Sequence, residues 1–257
     1  MNQAEKRAYL IEALLRECAE YEGIEVPTEE ALQRKFLRGL VNVRPAVPIA
    51  EAWLKVQDAY LQEELARKGV TAVEDLSPLQ PGLYVWQGDI TTLACDGIVN
   101  AANSGLTGCY HPNHGCIDNA IHSFAGVQLR GHCAAMIEMQ GHPEPVGKAK
   151  ITPGFNLPAK YIVHTVGPIV GDALTAADEE ALAACYRSCL ALAHAKGLKS
   201  LAFCCISTGE YHFPNQRAAE IAMATVKDYM KKSISVEKVV FNVFKDEDRA
   251  IYEALLG

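Results

Sequence analysis

From about Pro78 onward, short apolar runs alternate with longer segments whose apolar residues recur at helical spacing. That alternation restricts the chain to an α/β sheet, largely parallel and covered by helices on both faces. PGLYVWQGDI, DGIVNAAN, YIVHTVG, SLAFCCIS and VEKVVFNVF read as strands, several of them buried. Helices are expected from about Asp118, where Ile117, Ala120, Ile121 and Phe124 fall at i, i+3, i+4 and i+7. Others are expected from Asp178 to Lys196, over NQRAAEIAMATVKDYMKK and over DEDRAIYEALL. No internal repeat or low-complexity tract interrupts the pattern.

The segment before this alternation reads as helical throughout. Tyr9, Leu10, Leu14, Cys18 and Tyr21 recur near helical spacing. Thr28, with Glu29 and Glu30 behind it, is the expected N-cap of a second helix carrying Leu32, Phe36, Leu37 and Leu40. RPAVP, with Pro45 and Pro48, breaks the pattern before a third helix with Trp53, Leu54, Val56, Tyr60, Leu61 and Leu65. The change of texture between residues 70 and 80 predicts two parts, a helical extension over 1–75 and an α/β domain over 76–257. The helices are expected to cover one face of the sheet rather than to dock a substrate protein.

A chain of 257 residues with 49% apolar and 21% charged residues can bury a sizeable core and suits a soluble globular protein. Its net charge of -7 argues against a broad grip on nucleic acid. Any phosphate it binds is expected to meet backbone amides and helix ends. The charged, amphipathic N-terminus lacks the apolar region of a signal peptide, and no apolar run approaches the roughly 18 residues of a membrane span. Nine cysteines, an odd number scattered through helices, strands and one loop, fit reduced thiols better than a disulfide framework. A cytoplasmic location, with no membrane or nucleic-acid partner, is expected.

In such a sheet, ligands gather where strands end and helices begin. QGDIT (87–91), NAANSGLTG (100–108) and STGEYHFP (207–214) each follow an apolar run and are rich in small residues that let backbone approach a ligand. Amides of Ser207 to Tyr211 suit a diphosphate cradle, helped by the helix N-terminus that follows. The spacings of a Walker loop and of a dinucleotide fingerprint are both missing, which disfavours a conventional NTPase or dehydrogenase. GCYHPNHGCIDNAIHSFAG (108–126) brings Cys109, His111, His114 and Cys116 together just before a helix. Thiolate and imidazole suit zinc, and three protein ligands with an open fourth position would make a catalytic rather than a zinc-finger site. Spacing alone leaves His111 and His114 equally placed as the imidazole ligand. His122, His132, His142, His164, His194 and His212 are scattered along the chain and are expected to serve structural roles.

QGDIT, IVNAANSGLTG and CCISTGEYHFP, in that order and in an α/β setting, resemble the macrodomain, a module that binds ADP-ribose. GCYHPNHGCIDNAIHSFAGVQLR further resembles the zinc-dependent branch of microbial macrodomains, which act as protein-ADP-ribose hydrolases. The resemblance covers about residues 78–257, and a helical N-terminal extension is typical of that branch. It implies a three-layer fold with a mixed, largely parallel sheet. It also implies a zinc cofactor on Cys109, His114 and Cys116, through the family's C-x4-H-x-C pattern, which favours His114 over His111. Asp89 would accept a hydrogen bond from the adenine amino group, with Ile90 against the ring. Asn100 and Asn103 would line the distal ribose, and Ile117, Asp118 and Asn119 would bring a helix N-terminus near ribose and phosphates. Ser207, Thr208, Gly209, Glu210 and Tyr211 would wrap the diphosphate, with Tyr211 beside the distal ribose. One departure from the commoner GVFGYP-like second loop is that Glu210, Tyr211 and His212 stand there, which puts a carboxylate near a phosphate site.

The implied reaction is removal of ADP-ribose from mono-ADP-ribosylated protein side chains, with Asn103, Asp118 and Cys116 as the expected catalytic set. Zinc would polarise an oxygen at the scissile bond and position or deprotonate a water, with Asp118 as general base or ribose-orienting group. The alternative is a non-catalytic ADP-ribose-binding module whose zinc is structural. A nucleoside deaminase is disfavoured because the H-x-E and P-C-x-x-C arrangement is absent. Related proteins pair with a sirtuin-like ADP-ribosyltransferase and a lipoylated carrier protein, which makes both implied partners.

Overall fold

Helices α1 (Gln3–Arg16), α2 (Glu30–Val43) and α3 (Glu51–Lys68) open a computed structural model that describes residues 1–232 and 235–257. Asn2 caps α1 in a reciprocal box with Glu5. The cap expected at Thr28 falls one residue later: Glu29 occupies the N-cap position of α2 without a side-chain bond. Gln33 instead ties the first turn back, donating to the Pro27 carbonyl at 2.8 Å. Leu10, Ile11, Leu14, Leu37, Leu40 and Trp53 face one another in a core of their own, together with Tyr60.

The rest of the chain builds β1 (Thr71–Ala72), β2 (Leu83–Gln87), β3 (Leu93–Ala94) and β4 (Gly97–Ala101), then α4 (Ile117–Ala125) and α5 (Val127–Gln140). There follow β5 (Ala149–Pro153), β6 (Tyr161–Thr165), α6 (Ala176–Ala195), β7 (Ser200–Phe203), α7 (Asn215–Lys232), β8 (Lys238–Val243) and α8 (Asp246–Leu256). Among the described residues, the main sheet has the order β2-β8-β7-β4-β6-β5. All its neighbours run parallel except β5, which pairs antiparallel with β6 at the edge. The mixed, largely parallel α/β sheet is thus as expected. β1 and β3 form a short parallel pair that joins the end of the extension to the chain behind Asp89. Ile98, Val99, Ile162, Val163, Leu201 and Val239 are fully buried, as strands covered on both faces must be.

Besides the two-residue strands β1 and β3, the sequence does not announce α5 and β5. α5 follows α4 across a single junction residue, Gly126, whose φ of +100° turns the chain sharply. Its apolar residues are spread round the helix rather than in one stripe, so periodicity does not announce it. β5 carries Lys150 and ends on Pro153, a composition that an edge strand tolerates and a central one does not.

The extension does not chiefly lie on the sheet. α2 packs against α4, Val127 at the start of α5 joins the extension's core, and side chains of α2 bond the loop that carries Cys109 and Cys116. No helix among the described residues is long and apolar enough to cross a membrane.

Candidate active site

The carboxyl ends of β2, β4, β7 and β8 lie side by side, so the loops after them converge on one rim. Asp89 follows β2 and caps the short turn Ile90–Thr92, its Oδ1 accepting from the Thr91 N–H at 3.0 Å. Lys68 of α3 reaches across and donates to Asp89 Oδ2 at 3.0 Å, while its ammonium lies 3.4 Å over the Phe124 ring. Burial would raise the Asp89 carboxyl, but the Thr91 bonds and Lys68 outweigh it and hold the group below the usual carboxylate range. Ile90 is 2% exposed and its side chain belongs to the core.

Behind β4, Asn103 folds its loop onto itself: Oδ1 accepts from the Gly105 N–H, and Nδ2 donates to the Gly108 carbonyl, each at 3.0 Å. Asp118, in the first turn of α4, is buried with its carboxylate between Asn100 Nδ2 (2.8 Å, to Oδ1) and Asn103 Nδ2 (3.3 Å, to Oδ2). Burial pushes the Asp118 carboxyl up to about 6, against the Asn100 bond that pulls it down. Asn100 is fully buried, one layer beneath Asp118, and Nδ2 also meets His164 Nδ1 at 3.2 Å. Asn119 is fully buried too; its Nδ2 donates to the His111 carbonyl at 2.9 Å, which makes it a tie for the preceding loop.

That loop brings Cys109, His114 and Cys116 together, with Sγ, ring nitrogen and Sγ all within 4.8 Å of one another. Cys109 Sγ lies 3.6 Å from His114 Nδ1. Bond lengths of about 2.3 Å to sulfur and 2.0–2.1 Å to nitrogen place two ligands of a tetrahedral zinc roughly 3.6 Å apart. One thiol and the imidazole at that separation, with the second thiol within 4.8 Å of both, fit a cation of this size and softness. On the far side of the ring, His114 Nε2 lies 3.4 Å from Glu210 Oε1. Glu210 thus turns its carboxylate towards His114, in the kind of pairing that orients imidazoles at metal sites. Cys116 also caps α4, its Sγ accepting from the Asn119 N–H at 3.4 Å.

The loop after β7 reaches the same place from the other side. Ser207 adopts φ +65°, its Oγ is buried without a hydrogen-bond partner, and Gly167 leaves it room where a Cβ would stand 2.1 Å away. Thr208 is turned inward, donating to the Cys205 carbonyl at 3.1 Å. Gly209 is open, and the Tyr211 carbonyl accepts from the Val170 N–H at 2.9 Å. Burial first, then the electrostatic influence of Asp118 and Cys116, raise the pKa of the half-buried Tyr211 phenol.

The scattered histidines need a correction. His122, Cys133 and His164 converge, all buried, with ligand atoms within 4.8 Å. Sequence separation hid this: His164 on β6 is in register with Asn100 on β4, and α4 and α5 lay the other two side chains over the pair. His164 has both nitrogens engaged, Nδ1 by Asn100 and Nε2 by Thr152 Oγ1 at 2.9 Å, and burial holds it neutral by lowering its pKa to about 3. His164 is thus fully engaged, whereas both ring nitrogens of His122 are buried without a hydrogen-bond partner, Nε2 lying 3.5 Å from Asp118 Oδ1.

Sequence reasoning also missed Lys68, Arg38 and Phe244. Phe244 follows β8, 79% exposed, with Gln87 Nε2 donating to its carbonyl at 3.2 Å. An aromatic residue just past a buried strand, before the charged KDED, was the available signal. Lys68 and Arg38 belong to helices whose contacts no local pattern announces.

The Macro domain family pattern matches residues 99–222. A Treponema medium protein named Protein-ADP-ribose hydrolase is 55% identical over 261 residues, covering 100% of both chains. A Fusarium oxysporum f. sp. cubense protein, named as a probable bifunctional ADP-ribose hydrolase/ADP-ribosyltransferase, is 38% identical over 89% of this chain and 42% of its own. The structure of a Trypanosoma brucei macrodomain in complex with ADP-ribose matches with a TM-score of 0.67 and 29% identity, over 86% of this chain and 95% of that one. With the loops of the rim arranged as described and full-length identity of this order, the chain belongs to the macrodomain family, in the group whose members carry the name protein-ADP-ribose hydrolase.

Proposed function

We propose that the protein is a zinc-dependent hydrolase that removes ADP-ribose from mono-ADP-ribosylated protein side chains. The observation that carries this reading is a thiol–thiol–imidazole triad two residues from buried Asp118, on the rim where the strand-end loops meet. A zinc ion on Cys109, His114 and Cys116 would supply Lewis-acid chemistry at an open fourth position. The chain's own groups then divide the work. Asp89 takes the adenine amino group, its carboxylate kept charged by Lys68, with exposed Phe244 offering an aromatic face to the base. Amides of the Ser207–Tyr211 loop hold the diphosphate, and the unpartnered Ser207 hydroxyl offers one more donor. Asn103 and Asp118 fix the distal ribose, Asp118 orienting a hydroxyl or accepting the proton of the attacking water. Asn100 holds that carboxylate from beneath.

A chain carrying both a hydrolase and an ADP-ribosyltransferase, as the Fusarium protein's name describes, supports pairing with a separate transferase. On the resemblance read from the sequence, we propose a sirtuin-like ADP-ribosyltransferase as that partner, a lipoylated carrier protein as the modified substrate, and the cytoplasm as the setting. The deciding assay follows release of ADP-ribose from a mono-ADP-ribosylated protein with and without chelator. Release that stops on chelation and returns with zinc is expected. Tight ADP-ribose binding with no release would make the protein a binding module with structural zinc instead.

The diphosphate cradle carries its own prediction. In Gly167→Ala the new methyl must displace Ser207 Oγ at 2.1 Å and the Ile206 side chain at 2.9 Å. Overpacking of this kind costs about 1–3 kcal/mol. Because the displaced loop is the proposed cradle, a cost of that size borne by binding would lower ADP-ribose affinity, read by calorimetry, by about 5- to 150-fold, 1.4 kcal/mol being a factor of ten. Unchanged affinity would remove Ser207 from the site.

A further inference from the structure

The loop between Cys109 and Cys116 has no strand or helix of its own, and it turns through positive φ at Gly108 (+82°) and Asn113 (+55°). Its shape is held partly from outside the α/β domain. Arg38, half-buried on α2, donates through Nη2 to the His114 carbonyl at 3.2 Å. The same guanidinium donates to Asn119 Oδ1 through Nε at 3.2 Å and Nη2 at 2.7 Å. Asn119 in turn holds the His111 carbonyl, so Arg38 fixes the loop on both sides of Asn113. One turn further along α2, fully buried Asn42 accepts the Asn113 N–H on Oδ1 at 2.9 Å and donates to Ser123 Oγ at 2.8 Å. Gly39, between them, lets the helix backbone lie on the loop; a Cβ there would stand 3.2 Å from Asn113 Nδ2.

Arg130 of α5 closes the arrangement from the opposite side. It donates to the carbonyls of Val41, Asn42 and Arg44, which end α2, and to the Thr107 carbonyl at 2.7 Å at the foot of the loop. Its guanidinium also lies 4.3 Å over the ring of Tyr110, within the loop. A planar fork that engages several acceptors at once fixes position in a way that a single point charge cannot.

We infer that α2 is part of the metal site: Arg38 and Asn42 are positioning residues that hold the Cys109–Cys116 loop in its ligating shape. The consequence for zinc rests on the function proposed above; the clamp on the loop does not. Outer contacts of this kind set the orientation of metal ligands, and their loss typically weakens metal binding about 10- to 100-fold.

The test uses the full chain with Arg38→Ala, Arg38→Lys and Asn42→Ala, and Arg16→Ala as a control on an exposed ion pair of α1. Zinc affinity is read by competition with a chromogenic chelator, and hydrogen exchange is followed over 109–116 in zinc-free protein. Arg38→Ala and Asn42→Ala are expected to lower zinc affinity about 10- to 100-fold and to speed exchange over 109–116 selectively. Arg38→Lys should fall between, and Arg16→Ala should match the wild type. If buried Asn42→Ala fails to fold, Arg38→Ala decides alone. Wild-type exchange and affinity in Arg38→Ala would overturn the inference, as would faster exchange spread over the whole chain. A wild type that takes no zinc, while its loop still loosens in Arg38→Ala, would overturn the zinc reading and uphold the clamp.

Discussion

Cys116→Ser is expected to lower release of ADP-ribose from modified protein by about a thousandfold, the several kcal/mol that a lost metal ion is worth at a transition state. Serine separates the two tasks of this side chain. Cys116 is both a member of the thiol–imidazole triad and the N-cap of α4, accepting the Asn119 N–H. A hydroxyl caps a helix at least as well as a thiol, so α4 keeps its start and Tm should hold or rise. What disappears is the soft anionic ligand, leaving one thiol and one imidazole for the metal. Cys116→Ala would also lose the cap, about 1 kcal/mol, and would blur the comparison. Three measurements belong together: bound zinc, release rate and ADP-ribose affinity. Zinc and release should fall while affinity stays within a few-fold, because the contacts proposed for adenine and diphosphate lie on other loops. Full release by a zinc-free Cys116→Ser protein would refute the role given to the metal.

The sheet and the rim were legible in the sequence because each follows from a local signal. Strands buried on both faces leave unbroken apolar runs such as YIVHT and SLAF, and the Gly- and Asn-rich stretches behind them mark where backbone turns towards a ligand. The cysteine- and histidine-rich loop was legible for the same reason, but its spacing left His111 and His114 equal, and only the family resemblance favoured the His114 that the fold brings to the two thiols. What escaped depends on contacts between distant segments. His122, Cys133 and His164 meet only because strand register and two helix packings bring them together, and nothing in their spacing records that. Lys68 and Arg38 look like ordinary helix-surface charges, yet one pairs with Asp89 and the other bonds the loop between Cys109 and Cys116. Glu210, which looked misplaced beside a phosphate loop, finds its reason in His114, across a gap between two loops that no linear pattern spans.

Asp118→Asn is the other change expected to abolish most of the activity, lowering kcat by about 10²- to 10⁴-fold, the usual worth of a positioned acid–base group. The carboxylate accepts from Asn100 on one oxygen and from Asn103 on the other. An amide has only one oxygen to offer, so its NH₂ must face one of these two donors. Asn100 is fully buried and also tied to His164, whereas Asn103 stands nearer the surface in a loop that can adjust. The oxygen is therefore expected to stay with Asn100, and the disturbance to fall on Asn103. Global stability should then change little, while the group that faces the ribose loses its basicity. The split between constants tells the two roles apart: a general base loses kcat at nearly constant KM, whereas a ribose-orienting group raises KM as well. Combining Asp118→Asn with Cys116→Ser gives the sharper test. If the carboxylate and the metal serve one step, the double variant should be little worse than the worse single one, as groups that act as a unit are strongly non-additive. Fully multiplicative losses would place them in separate steps, and unchanged kcat in Asp118→Asn would remove the carboxylate from the chemistry.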